Sequence, residues 1–192
     1  MNFSLLYRRI KNIIVNPRGM WADVAEENRE VNELRLSFLL PMVLLIAVSG
    51  VAGTLLFTYN GLALTFPLLV AIKYFTGIFL TVEVAARIVT EIAFVFTRER
   101  NFNYNYKLVL YSFTPFMASM IITRLFSSLL FLNLAGLYGI YIAYIGVSTL
   151  YHLNPQGKIR YTALISLTTL VFYLAVTFII NSVVDLLYFS IT

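Results

Sequence analysis

Six ionisable side chains lie inside apolar segments of this chain, where a charge is costly and usually has a structural or functional role. Three are basic and three are acidic: Lys73, Glu83, Arg87, Glu91, Arg124 and Asp185. Their formal charges sum to zero, and compensated charges suit internal pairing better than a selectivity ring of one sign. The chemistry open to this intramembrane charge network is ion pairing, passage of a solute or proton, binding of a lipid headgroup, or catalysis.

Half of the charges recur every four residues on one predicted helix. At about 100° per residue, Glu83, Arg87 and Glu91 share a stripe about 80° wide, and Lys73 falls at its edge. A polar face of this kind must turn towards other helices or water rather than lipid. Glu83 and Arg87 have the i, i+4 spacing of an intrahelical ion pair. We expect a structural network here, with a solute, lipid-headgroup or proton pathway as the alternative.

A second polar stripe lies near the C-terminus. Thr177, Asn181 and Asp185 recur at i, i+4 and i+8 on one predicted helix. Burial of an unpaired charge is unfavourable, so the carboxylate of Asp185 needs a basic partner. The sequence predicts that Asp185 pairs with Arg124 or Lys73.

Composition places the chain in a membrane. Of its 192 residues, 60% are hydrophobic and 12% are charged, whereas soluble domains are nearer half apolar and a quarter charged. The net charge of +5 does not indicate nucleic acid, because most basic residues flank apolar spans. There is no Cys and one His, so we predict neither a metal site nor a cofactor.

Five apolar segments reach the roughly 20 residues that a helix needs to cross a bilayer. They are residues 36–57, 66–96, 108–132, 134–152 and 161–189. Residues 36–192 are therefore expected to form an all-α integral membrane domain of five transmembrane helices. The join between the third and fourth spans, around Asn133, predicts a tight helical hairpin.

Lysine and arginine are distributed asymmetrically between the predicted loops. Eleven of the fourteen precede the first span, follow the second or follow the fourth, whereas the segment Thr58–Thr65 and the join at Asn133 contain none. Positively charged loops stay in the cytoplasm. We therefore expect a multi-pass protein of the cytoplasmic (inner) membrane, with its N-terminus inside and its C-terminus outside.

Residues 1–35 are amphipathic rather than spanning. Five apolar side chains share one helical face: Phe3, Leu6, Ile10, Ile13 and Ile14. This pattern is typical of one or two helices lying in the headgroup region, with four residues predicted at the interface: Arg8, Arg9, Lys11 and Trp21. Asn16 and Pro17 are expected to end the first helix and to cap the second.

Small residues recur four apart on two predicted spans, where they let helix backbones approach closely. They are Ser49 and Gly53 on the first span, and Ala135, Gly139 and Ala143 on the fourth. We expect these faces to pack within the chain, and dimerisation through one of them is the alternative.

Three segments resemble the entry segment, the third span and the fourth span of bacterial Yip-domain proteins. They read RIKNIIVNPRGMWADVAEE (9–27), YKLVLYSFTPF (106–116) and LYGIYIAYIGVSTLY (137–151), and they occur in the expected order. The resemblance implies a five-helix integral membrane domain. Eukaryotic members of the family are trafficking factors that contact Rab-type GTPases. Their D-L-Y-G-P element is absent from this chain, so GTPase binding is not carried over.

An enzymatic role is not expected. Glu83 and Arg87 match half of the E-E-x-x-x-R signature of CAAX-protease-like membrane proteins, but that signature needs a second Glu and two later histidines. Position 82 is valine, and His152 is the single histidine. We expect a non-enzymatic membrane-organising or partner-binding protein, in contact with the lipid bilayer and with other membrane proteins or its own copies. The alternative is a small transporter or lipid-handling protein that uses the polar core of spans two, three and five.

Overall fold

The described residues form helices joined by short connections, with no strand among them. The computed structural model describes residues 3–57, 65–98 and 100–191. The helices are α1 (Phe3–Val15), α2 (Pro17–Glu26), α3 (Val31–Leu34), α4 (Leu40–Phe57), α5 (Thr65–Thr97), α6 (Phe102–Leu125), α7 (Tyr138–Leu150) and α8 (Pro155–Ile191). A π-helical turn, Arg35–Leu39, joins α3 to α4, and a 3₁₀ segment, Ser127–Leu137, leads into α7. The expected all-α class is confirmed.

Four helical segments of the described residues are long and apolar enough to cross a membrane. They are Val31–Phe57, Phe102–Leu125, Ser127–Leu150 and Pro155–Leu186. The predicted second span is not among them: it corresponds to α5, which carries four of the six intramembrane charges. Length and composition therefore support a multi-helix membrane protein with four candidate spans among the described residues, and the fifth span stays a prediction.

The N-terminal helices pack on the bundle. The side chain of Asn16 accepts a hydrogen bond from the amide of Gly19 at 3.1 Å, and Pro17 is the first residue of α2, which confirms the predicted cap. Leu6 and Ile13 are buried, and α1 contacts both α2 and α6. The apolar face predicted to lie in the headgroup region is thus turned largely towards the protein.

Helix α5 packs against α4, α6 and α8. Its buried face is lined by small and β-branched residues, among them Val82, Ala85, Ala86 and Val89. Helix α8 packs on this core along one side only, so Leu167, Leu174 and Phe178 are more than half exposed. Exposed apolar side chains on a membrane helix are expected to face lipid.

The chain turns between α6 and the 3₁₀ segment earlier than predicted. The backbone leaves the helical conformation at Phe126, not around Asn133. The side chain of Asn133 instead accepts hydrogen bonds from Ser119 and Thr123, both at 3.1 Å. Asn133 therefore connects the 3₁₀ segment to α6 through its side chain. The predicted turn at this residue is wrong.

Candidate functional site

The most buried acidic side chain, Glu83, is held by two residues from other helices. Arg35 binds both carboxylate oxygens, with Nε at 2.7 Å from Oε1 and Nη2 at 2.8 Å from Oε2. The hydroxyl of Tyr106 donates to Oε1 at 3.0 Å. Bidentate arginine–carboxylate pairs are among the strongest protein hydrogen bonds. We call Arg35, Glu83 and Tyr106 the central lock, because they join the π-helical turn, α5 and α6.

The other two charges of the predicted stripe lie outside this lock. Arg87 is exposed, and it makes no ion pair with Glu83, so the predicted intrahelical pair is wrong. Glu91 pairs with Arg100 at 3.5 Å, and both side chains are more than 60% exposed. In the described part of the chain, no ion pair joins any two of the six predicted network residues. Glu83 binds Arg35 rather than Arg87 because the guanidinium of Arg35 reaches both of its carboxylate oxygens.

A second polar centre fixes α1 and the segment after α2 to α6. The guanidinium of Arg9 binds both oxygens of Glu27, and it donates to the hydroxyl of Tyr111 at 2.6 Å. Lys107, which is buried, donates to the backbone carbonyl of Glu27 at 2.8 Å. Arg29 contacts the same carboxylate at 2.7 Å. We call Arg9, Glu27, Lys107 and Tyr111 the docking lock.

Electrostatics keep Glu27 ionised. Burial raises the pKa of its carboxyl, but the hydrogen bond from Arg9 and the charges of Arg9, Arg29 and Lys107 outweigh burial. The pKa of Glu27 is therefore held below its usual value. The docking lock depends on this ionised form.

The four residues predicted at the interface differ in their exposure. Arg8 and Lys11 are exposed, and Arg9 is half-buried in the docking lock. Trp21 is 0% exposed, and its indole N–H donates to the carbonyl of Ile142 at 3.0 Å. A buried tryptophan needs such a partner. The interfacial role predicted for Trp21 is therefore wrong, since it anchors α2 against α7.

A polar cavity of about 160 Å³ is lined by two of the remaining predicted charges and by two residues of the second stripe. Its wall includes Lys73, Arg124, Thr177 and Asn181. Asp185 is exposed, and no ion pair joins it to Arg124 or Lys73 in the described residues, although its charge acts on Lys73. The structure therefore brings Lys73 and Arg124 close to Thr177 and Asn181 but does not form the predicted pair.

The ring of Tyr74 lies beside both cations. The guanidinium carbon of Arg124 lies 4.6 Å from the centre of this ring, and Nζ of Lys73 lies 5.6 Å from it. Cations within about 6 Å of an aromatic face are attracted to it. A ring compensates charge only partly, so this cavity keeps a positive character.

The small residues are used mostly inside the chain. A Cβ at Gly53 would lie 2.0 Å from the carbonyl oxygen of Arg124, and one at Gly139 would lie 2.1 Å from that of Ser112. Ala143 is buried and Ser49 is half-buried, whereas Ala135 is exposed. The close approaches of α4 and α7 to α6 thus account for both glycines.

Sequence reasoning missed the partners that make both locks. Arg35 and Lys107 were counted as loop charges, yet each binds a group from another element. Tyr106, Lys107 and Tyr111 all belong to the segment 106–116, and Arg9, Trp21 and Glu27 belong to the segment 9–27. The similarity of these two segments to one family was the available signal, because the structure places them against each other.

Helix α6 is also hydrogen-bonded to the end of α7 and the start of α8. The side-chain oxygen of Asn105 accepts hydrogen bonds from Tyr151 at 3.0 Å and from Tyr161 at 2.5 Å. Asn105 therefore connects α6 with the end of α7 and the start of α8. Among the described residues, no three His, Cys, Asp or Glu side chains are grouped so that they could hold a metal ion.

Comparison with known proteins gives one match. No curated protein and no solved structure is significantly similar to the chain. The model of the Yip1 domain matches residues 11–178, a stretch that contains both Glu27 and Glu83 with most of their partners. Since this match covers most of the chain, the protein belongs to the Yip1 domain family.

Proposed function

We propose that this protein has a non-enzymatic role, and that it organises the membrane or binds partner proteins there. The observation that carries the proposal is the central lock. Its buried carboxylate is satisfied by Arg35 and Tyr106, so no free acid or base remains at this site for proton transfer. A site built for catalysis or conduction needs a group that can exchange a proton or ligand.

The docked N-terminal segment gives such a scaffold its binding surface. Four acidic side chains are exposed on and after α2: Asp23, Glu26, Glu30 and Glu33. Arg8, Lys11 and Arg18 are exposed on the same segment. The docking lock holds this segment in one place, which favours its use as a platform for other membrane proteins.

The proposal includes a five-span arrangement in the cytoplasmic membrane, with α5 as the second span. The charge asymmetry of the loops supports an N-terminus inside and a C-terminus outside. In this arrangement the platform lies on the cytoplasmic side. The 33 residues of α5, at about 1.5 Å each, exceed the bilayer thickness, so its C-terminal end with Glu91 extends towards the cytosol.

Reconstitution tests the scaffold role. Purified protein in liposomes is expected to leave the membrane tight to protons and small anions, and Glu83→Gln is expected to lower stability without changing permeability. Arg87→Gln serves as the control, because Arg87 is exposed on the same helix. Flux that wild-type protein supports and folded Glu83→Gln protein lacks would overturn the scaffold role.

A second candidate function is lipid handling through the polar core. The cavity that holds Lys73 and Arg124 favours it, because two cations share this space without an ion pair to a described carboxylate. The scaffold role uses the central lock, whereas lipid handling uses this cavity, so the two roles are separable by mutation.

A further inference from the structure

Two residues of the cavity wall, Arg124 and Asn181, each carry a buried polar atom without a partner in the described part of the chain. Nε of Arg124 and Oδ1 of Asn181 are buried and have no hydrogen-bond partner among the described residues. Buried polar groups are normally satisfied. Nε is a donor, which suits an anionic oxygen, and Oδ1 is an acceptor, which suits a hydroxyl. A ligand that carries both an anion and a hydroxyl would therefore satisfy the two atoms.

The size and charge of the cavity also fit an anion. A water molecule needs roughly 10–15 Å³ of such space, so about 160 Å³ is enough for a phosphate group. Lys73 and Arg124 bring two positive charges to the wall, and Asp185, whose charge also acts on Lys73, is exposed. The local balance is thus one positive charge, and a phosphodiester would neutralise it.

An apolar groove lies on the other side of Tyr173. The groove has a volume of about 520 Å³, and it is lined by residues of α6, the 3₁₀ segment, α7 and α8. Tyr173 belongs to the wall of both the cavity and the groove. Its ring packs on Phe116 at 4.9 Å and on Phe113 at 5.8 Å, and both phenylalanines also line the groove.

The groove opens to the apolar surface of the bundle. Leu134, Leu137 and Leu167, all on its rim, are 61–68% exposed. On a membrane helix these side chains face acyl chains. Charge complementarity on one side of Tyr173 and an open apolar groove on the other together describe the two parts of a phospholipid.

We propose that the cavity and the groove bind one phosphate-bearing lipid. Its phosphate lies between Lys73 and Arg124, a headgroup hydroxyl donates to Asn181, and an acyl chain occupies the groove. This inference deepens the second candidate function and does not depend on the scaffold role. It identifies Lys73, Arg124 and Asn181 as lipid-binding residues.

Native mass spectrometry of delipidated protein in detergent tests the proposal. The probes are phosphatidylglycerol, diacylglycerol with the same chains, and inorganic phosphate. Wild-type protein is expected to retain phosphatidylglycerol but not diacylglycerol. In the double variant Lys73→Gln/Arg124→Gln, bound phosphatidylglycerol is expected to fall about tenfold or more, since hydrogen bonds to charged groups are strong.

Two further variants make the result specific. Ala163→Phe fills the groove from an exposed position, and it is expected to reduce lipid binding while leaving both cations in place. Arg87→Gln removes an exposed cation from the same helix as Lys73 and is expected to bind as the wild type does. If the double variant does not fold, Lys73→Gln alone is expected to show a several-fold loss.

The contrary outcomes are distinct. Wild-type retention of phosphatidylglycerol by a folded Lys73→Gln/Arg124→Gln variant would overturn the proposal, and so would equal retention of diacylglycerol. Binding of inorganic phosphate that is insensitive to Ala163→Phe, with no enrichment of phosphatidylglycerol, would show a free-anion site instead of a lipid site. Thermal unfolding of each variant, measured in parallel, separates a loss of lipid binding from a loss of folding. The scaffold role is tested separately by the liposome experiment.

Discussion

At the scale of single residues, the decisive feature is the choice of partner for Glu83. The sequence offered Arg87 at i+4, but the carboxylate binds Arg35, which lies 48 positions away. Exposed i, i+4 pairs contribute only about 0.3–0.5 kcal/mol. A bidentate pair from another helix, with Tyr106 as a third member, satisfies the buried carboxylate more fully.

The first prediction concerns this carboxylate. Glu83→Gln leaves the guanidinium of Arg35 without its counter-charge. We expect the free energy of unfolding to fall by about 2–3 kcal/mol, near the lower end for a broken buried pair, because 25% of the Arg35 side chain is exposed. Denaturant titration in mixed micelles measures this change.

Glu91→Gln is the matched control for that experiment. It removes a carboxylate from the same helix, but the pair with Arg100 is 3.5 Å long and more than 60% exposed on both sides. Exposed pairs contribute about 0–1 kcal/mol. If the free energy of unfolding fell equally in both variants, the buried pair of Glu83 would not be the stronger one.

At the scale of elements, α2 is fixed to α7 by complementary shapes. A Cβ at Gly146 would lie 2.5 Å from Cζ2 of Trp21 and 2.6 Å from Cδ2 of Leu108. Only glycine leaves room there for the indole, and the indole N–H then reaches the carbonyl of Ile142. The sequence could not reveal this contact, because an isolated tryptophan near a basic helix also fits a membrane interface.

The second prediction uses Trp21 as a probe, since it is the single tryptophan of the chain. Gly146→Leu should displace the indole, and the fluorescence emission of the protein should shift to longer wavelength as Trp21 meets solvent or headgroups. Tyr144→Phe, an exposed change on the same helix, should leave the emission unchanged. Unshifted emission from Gly146→Leu would mean that α2 does not depend on this contact.

The third prediction concerns the pH dependence of α2 docking. The pKa of Glu27 is lower in the folded protein than the ordinary glutamate value of 4.5, so its ionised form stabilises docking. This contribution is complete above pH 4.5 and is lost as the pH falls through the lower, folded pKa. We expect the emission of Trp21 to shift to longer wavelength in that acidic range.

Glu27→Gln checks that assignment. Glutamine cannot titrate and cannot bind Arg9 as an ion pair, so this variant should start with weaker docking and lose the acid-dependent shift. An unchanged acid transition in Glu27→Gln would assign it to other carboxyl groups, such as the exposed Asp23 and Glu26.

At the scale of the whole molecule, the sequence predicted the apolar helices but not the contacts between them. Runs near 20 apolar residues predicted the cores of α4, α6 and α8, because the bilayer sets that length. The turn at Phe126 was missed, since neither Gly nor Pro marks it. The cavity at Lys73 and Arg124 was also unpredictable, because the width of a space between helices depends on packing that no single segment encodes.

The final prediction decides the number of spans. The chain has no cysteine, so single cysteines report sidedness through a membrane-impermeant thiol reagent. Arg18→Cys and Gln156→Cys, both at exposed positions, should be labelled only after the membrane is permeabilised. Both sites are cytoplasmic when α5 crosses the bilayer, because four spans then separate residue 18 from residue 156. If α5 does not cross, only three spans separate them, and Gln156→Cys would be labelled in intact cells while Arg18→Cys stays protected.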